Sequence, residues 1–155
     1  EMIREAQRRL GNDEEAEIRE ALAQLAQIAH LRVEASIQDD RPHVTTHVLD
    51  AAAGAPAVAV EVVLTGRDQR GGLVEVARGL TDADGRLGLG PGELSPGTYT
   101  LTFDTGGYFT RQGVQTFYPS VAVAFTLSAG SDGGVLHHHV PLLLSPFSYS
   151  TYRGS

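Results

Sequence analysis

Every proline of this chain, seven in all, and most of its eighteen glycines lie after Arg41. A helix interior excludes proline, which lacks the N–H and clashes with the preceding turn, and is weakened by glycine. Punctuation at this density leaves room only for short elements, so the chain beyond that point reads as strands separated by turns. Before it, Ala, Glu, Gln, Arg and Leu dominate, all good helix formers. The change falls near Asp39-Asp40-Arg41-Pro42, which predicts a helical segment over 1–38 and an all-β domain over 39–155.

The helical segment divides at Gly11-Asn12. Asn12 suits an N-cap, with Glu15 placed to reach back to it. Ile18, Leu22, Leu25, Ala29 and Val33 recur at helical spacing and form one apolar stripe. Such a stripe needs a partner surface, either the β domain, a neighbouring subunit or the rest of an upstream domain.

Strands are expected over Val44–Leu49, Val58–Thr65, Leu73–Leu80, Thr98–Asp104, Val121–Leu127, His137–Leu144 and Phe147–Tyr152. Alternation is clearest where Tyr99, Leu101 and Phe103 share a face. Gly66–Gly72 reads as a loop, Asp82-Ala83-Asp84-Gly85 as a turn, Gly106-Gly107 as a break and Tyr108–Gln112 as one helical turn. About seven short strands at this spacing predict a sandwich of two antiparallel sheets.

The net charge of −7 argues against a nucleic-acid binder, which needs a basic footprint. There is no cysteine, which excludes disulfides, thiolate nucleophiles and cysteine-bound zinc. No apolar run approaches the roughly 18 residues that span a membrane. With no secretion signal legible at Glu1-Met2-Ile3-Arg4, a cytoplasmic protein is the expectation.

Six histidines invite proton-transfer or metal chemistry. In a strand, His137 and His139 share one face and His138 takes the other. By spacing alone, such a group is a solvated or structural edge, an acid–base pair or part of a zinc site, in that order. His43, Thr45 and His47 share a face opposite Val44, Thr46 and Val48. A histidine within a strand is by itself more often structural than catalytic. Arg86, after a D-x-D-G turn, is by itself a solvated turn residue. The turn resembles the start of a calcium loop, but Leu87 and Leu89 stand where oxygen ligands would follow. The terminal Gly-Ser matches what expression scars leave. Residue chemistry alone therefore ends at an all-β domain with several histidines, either a hydrolase or a binding module.

Six short motifs occur in order: T-T-H-V-L-D-x-x-x-G-x-P (Thr45–Pro56), T-D-x-D-G-R (Thr81–Arg86), G-x-Y-F (Gly106–Phe109), F-Y-P (Phe117–Pro119), H-x-H-V-P-L-L-L-S-P (His137–Pro146) and Y-R-G-S (Tyr152–Ser155). Over Arg41–Ser155 the chain resembles the 5-hydroxyisourate hydrolases, enzymatic relatives of the hormone carrier transthyretin. The resemblance implies a Greek-key, transthyretin-like sandwich and hydrolysis of 5-hydroxyisourate to 2-oxo-4-hydroxy-4-carboxy-5-ureidoimidazoline in urate breakdown. It implies no metal or cofactor. It carries functional roles onto His47, Arg86, His139 and Tyr152, with Arg86, Arg153, Gly154 and Ser155 binding substrate. It also overturns the scar reading of Gly154-Ser155. His138 departs from the family, whose members often carry tyrosine there. The resemblance further implies a homotetramer, a dimer of dimers with sites in a channel between them. Arg9–Arg32 is similar to the last helices of the decarboxylase that consumes the hydrolase's product, which implies a fusion and no decarboxylase activity for this piece. The alternatives are a transthyretin-like carrier of a small ligand and a non-catalytic oligomeric sandwich.

Overall fold

A computed structural model describes residues 16–28, 42–90 and 94–155. The chain divides into two units, Glu1–Arg41 and Pro42–Ser155. In the first, residues 16–28 form helix α1, which carries Ile18, Leu22 and Leu25 of the expected stripe. Asn12, Glu15, Ala29 and Val33 lie outside the described residues.

In the second unit the described elements run β1 (Val44–Asp50), β2 (Ala55–Pro56), β3 (Glu61–Arg67), β4 (Leu73–Leu80), β5 (Arg86–Leu89), β6 (Gly97–Phe103), α2 (Thr105–Arg111), β7 (Val121–Leu127), β8 (His138–His139), β9 (Leu142–Ser145) and β10 (Ser148–Thr151). One sheet follows the order β10-β9-β1-β2, with β5 and β8 also paired to β1; the other is β4-β3-β6-β7. The second sheet is antiparallel throughout. In the first, β1 pairs parallel with β8 and β9 and antiparallel with β2 and β5. The described strands form the expected two-sheet β-sandwich, mainly antiparallel.

The core lies between the sheets. Val44, Val48, Val62, Leu64, Leu101, Phe103, Leu127 and Leu142 are wholly buried. Each contributes on the order of 1.5–3 kcal/mol by leaving water. Strand β1 alternates strictly between buried and half-buried residues, so Val44, Thr46, Val48 and Asp50 face the core. Asp50 is buried with its charge satisfied. Its Oδ1 accepts the N–H groups of Ala52 and Ala53, and its Oδ2 accepts the hydroxyl of Tyr108 at 2.9 Å. The last residue of T-H-V-L-D is therefore a structural anchor that ties β1 to α2.

Several boundaries differ from those expected. Strand β3 begins at Glu61 rather than Val58, because Ala59 turns the chain with φ of 59° and Val58 is exposed. It runs on to Arg67, into the expected loop. Helix α2 includes Gly106 and Gly107 rather than starting at Tyr108, because the Asp104 side chain caps it by accepting the Gly107 N–H. The expected strand His137–Leu144 is broken at Val140-Pro141, since proline cannot donate to the ladder. Strands β2 and β5 were not anticipated; both are short and follow turns directly.

Candidate active site

The site is built on the face of β1 that the core does not use. His43, Thr45 and His47 point there, each half-buried. In the pairing register, His47 stands opposite Arg86 of β5, and Thr45 stands opposite Gly88 of β5 on one side and His139 of β8 on the other. A single strand thus brings together residues about 40 and 90 positions away in sequence.

The turn before β5 explains the D-x-D-G-R motif. Asp82 Oδ1 accepts the N–H groups of Asp84 and Arg86, both at 2.9 Å. Gly85 adopts a φ of 74°, where a side chain is strained, and its carbonyl accepts the Val48 N–H. Asp82 is consumed in shaping the turn, and the turn delivers Arg86 to the strand beside β1. Arg86 is thus the first residue of a strand rather than part of the turn, and it stays exposed, as spacing alone suggests.

Thr45 Oγ1 lies 2.8 Å from His139 Nδ1 and 3.0 Å from His137 Nε2. His137 and His139 therefore share a face, as strand alternation predicts, and His138 is buried on the other, its Nδ1–H donating to the Leu136 carbonyl. His47 Nε2 is 2.8 Å from the Asp84 carbonyl. A carbonyl only accepts, so Nε2 carries the proton and Nδ1 is the acceptor left to a neutral His47.

A cavity of about 560 Å³ opens over this face, lined among others by Thr45, Arg86, His137, His139 and Ser155. Leu80 and Leu87 supply an apolar wall. Of the expected site residues, Arg86, His139 and Ser155 meet here. His47 sits beside them rather than in the lining. Tyr152 and Arg153 line a second cavity of about 420 Å³ with Phe125 and His139. Gly154 bridges to His139 through backbone hydrogen bonding, its N–H donating to the His139 carbonyl at 2.8 Å. Thr45 and His137 are not among the residues to which the resemblance carries a role, although strand alternation puts Thr45 on the polar face and pairs His137 with His139.

Burial holds the His139 imidazole below its ordinary pKa, and the nearby Arg86, His137 and His47 push it further down; the Thr45 backbone offsets this in part. His139 is thus biased toward the neutral imidazole, the form that accepts a proton. Among the described residues no three His, Asp or Glu side chains stand close enough to share a metal ion. Among them, too, no helix is long and apolar enough to cross a membrane.

Residues 44–154 match the model of the HIUase/Transthyretin family. This chain belongs to that family. It is 44% identical over 116 residues to the 5-hydroxyisourate hydrolase of Mus musculus, covering 72% of this chain and 93% of the relative. It is 43% identical over 144 residues to the "Uric acid degradation bifunctional protein TTL" of Arabidopsis thaliana, covering 81% of this chain and 42% of the relative. That share exceeds what Pro42–Ser155 alone supplies, so the likeness runs back into the N-terminal unit. Among solved structures, the family's 5-hydroxyisourate hydrolase from Klebsiella pneumoniae superposes with a TM-score of 0.62 at 34% identity, over 72% of this chain and 97% of that one. Sea bream transthyretin in complex with thyroxine superposes with a TM-score of 0.65 at 33% identity, over 72% and 93%.

Proposed function

We propose that this chain hydrolyses 5-hydroxyisourate, opening a ring amide to give the ureidoimidazoline carboxylate. The observation that carries this reading is the convergence of Arg86 and His139 on one cavity, with His139 held toward its neutral form. Amide hydrolysis needs an activated water, a polarised carbonyl and a proton for the leaving nitrogen. In the proposed sequence, water attacks the ring carbonyl while His139 Nε2 takes its proton. The carbonyl π electrons move to oxygen, where the Arg86 guanidinium stabilises the oxyanion. The C–N bond then breaks as the tetrahedral centre collapses, and the imidazolium returns its proton to nitrogen. His47 Nδ1 orients the water from beside the cavity, Ser155 completes its lining, and the adjoining C-terminal segment contributes Tyr152 to the chemistry and Arg153 and Gly154 to holding the substrate. No cofactor enters this sequence.

The likeness to a thyroxine complex supports a second reading, a small-ligand carrier. The polar lining of Arg86, His137 and His139 fits it poorly, because a buried apolar ligand would leave those groups unpaired. An ultraviolet time course of freshly generated 5-hydroxyisourate separates the two. Decay accelerated in proportion to the protein supports the hydrolase, and decay at the spontaneous rate beside folded protein supports the carrier.

We further infer a homotetramer, a dimer of dimers; Leu73, Phe117 and Phe147 offer exposed apolar surface of the kind assembly covers. Light scattering tests it. The segment 1–38 is read as the end of a second enzymatic domain, the decarboxylase-like remnant, and the likeness to a bifunctional relative that reaches into it supports this. A cytoplasmic enzyme is in keeping with a water-soluble substrate, and cell fractionation checks it.

A further inference from the structure

We propose that Thr45 is a positioning residue that fixes the tautomer of His139, with His137 as the counter-partner that decides where the Thr45 hydroxyl proton points. The geometry and the kinetic arm of the test rest on different things: only the latter rests on the hydrolase reading.

A hydroxyl has one proton to donate and two lone pairs to accept with. Thr45 Oγ1 stands within hydrogen-bond distance of two ring nitrogens, His139 Nδ1 at 2.8 Å and His137 Nε2 at 3.0 Å. It can donate to at most one of them, so at most one ring can present a lone pair to it. If the proton goes to His139 Nδ1, that nitrogen is an acceptor and the neutral ring carries its proton on Nε2. If it goes to His137 Nε2, His139 must donate through Nδ1–H, and its Nε2 is a bare lone pair. The two histidines therefore have coupled tautomers, and the coupling runs through one oxygen.

Two observations decide between these states. The first is the surroundings of the His139 ring. Thr45 holds its Nδ1 edge, and Gly154 covers its Cδ2 edge so closely that a Cβ at residue 154 would stand 3.0 Å from Cγ and nearer still to Cδ2. The edge that remains for the cavity is Cε1–Nε2. The second is charge. Arg86 lines the same cavity and disfavours the protonated form of His139. A cation lining the cavity onto which that edge opens favours a lone pair over an N–H dipole at Nε2. The combination selects Nδ1–H on His139, Oγ1–H donated to His137, and a bare Nε2 aimed at the cavity. Ordering the proton in advance removes a reorganisation step from the reaction.

The test uses the whole chain labelled with ¹⁵N-histidine and long-range ¹H–¹⁵N correlation spectra, the His139 signals being identified by their loss in H139Q. In the native protein His139 is expected to show a protonated Nδ1 and a bare Nε2. Thr45→Val keeps the shape and removes the hydroxyl; valine suits a strand, so folding is retained. His139 should then move toward a mixture of tautomers, with kcat down by about tenfold or more and KM within about threefold. Thr45→Ser should restore both the nitrogen pattern and kcat. His137→Ala, which removes the counter-partner and leaves β1 intact, should shift the His139 pattern as well. A T45V protein that keeps either the native nitrogen pattern or the native kcat overturns the proposal, as does a native protein with its proton on Nε2. If the nitrogen pattern behaves as expected while native protein leaves 5-hydroxyisourate decay at its spontaneous rate, the tautomer assignment stands and the hydrolase reading falls.

Discussion

The backbone N–H of Gly154 donates to the carbonyl of His139 at 2.8 Å, and no side chain fits between residue 154 and the imidazole. A segment that would ordinarily fray at the end of a domain is thereby latched onto the ring proposed as the base. Gly154→Ala should force the ring or the segment to move. Misplacement of about 1 Å at a reacting group costs on the order of a hundredfold, so kcat/KM should fall by about tenfold to a hundredfold. Stability should change by less than about 1 kcal/mol, because the segment can peel away without opening the core. Steady-state kinetics and thermal melts on the same preparation check both halves.

Removing the cation beside His139 should be visible in two ways. Arg86→Gln deletes a positive charge that disfavours the imidazolium, so the His139 pKa should rise toward its ordinary value, read by NMR titration. If Arg86 also stabilises the oxyanion, kcat should fall by about a hundredfold to a thousandfold. A fall in rate with an unmoved His139 titration would separate Arg86 from the ring.

Acidity should weaken the protein before it silences it. His139 titrates below its ordinary value of about 6.5 in the fold and near that value in the unfolded chain. As pH drops below about 6.5, the unfolded chain binds a proton that the folded chain refuses. The contribution of His139 to stability is therefore whole above that pH and is lost as pH falls toward the folded pKa. Turnover that needs neutral His139 should have its acid limb below pH 6.5. Denaturant melts and kcat/KM profiles between pH 4.5 and 8, repeated with H139Q, test the assignment; a profile whose acid limb stays at or above pH 6.5 contradicts it.

The buried pair Asp50–Tyr108 should matter to folding and not to chemistry. Tyr108→Phe leaves a buried carboxylate oxygen without its partner, which costs about 1–3 kcal/mol. Turnover per folded molecule should match the native chain. Denaturant unfolding and activity together check this.

Much of this arrangement was legible in the chain. Alternation in Val44–Asp50 and Val121–Leu127 marks strands because one face is buried and the other wet, and a period of two is hard to mistake. The same alternation placed Thr45 and His47 on one face and paired His137 with His139. Pairing partners were not legible. That Arg86 reaches His47 follows from β5, four residues that become a strand only because β1 lies beside them. That Pro141 divides the expected strand His137–Leu144 into β8 and β9 follows from a lost donor. The close contact of Gly154 with His139 needed three dimensions, since nothing in a terminal Y-R-G-S says what it covers. The motif order carried the functional resemblance, and the cavity gives that resemblance a chemical shape.

The most direct test of the central claim is the single-turnover decay of freshly generated 5-hydroxyisourate, followed in the ultraviolet with native protein and with H139A that retains its native circular dichroism and oligomeric state. With His139 as the base, native protein speeds the decay and H139A loses at least about a hundredfold of that acceleration. An H139A protein as fast as the native chain would contradict it.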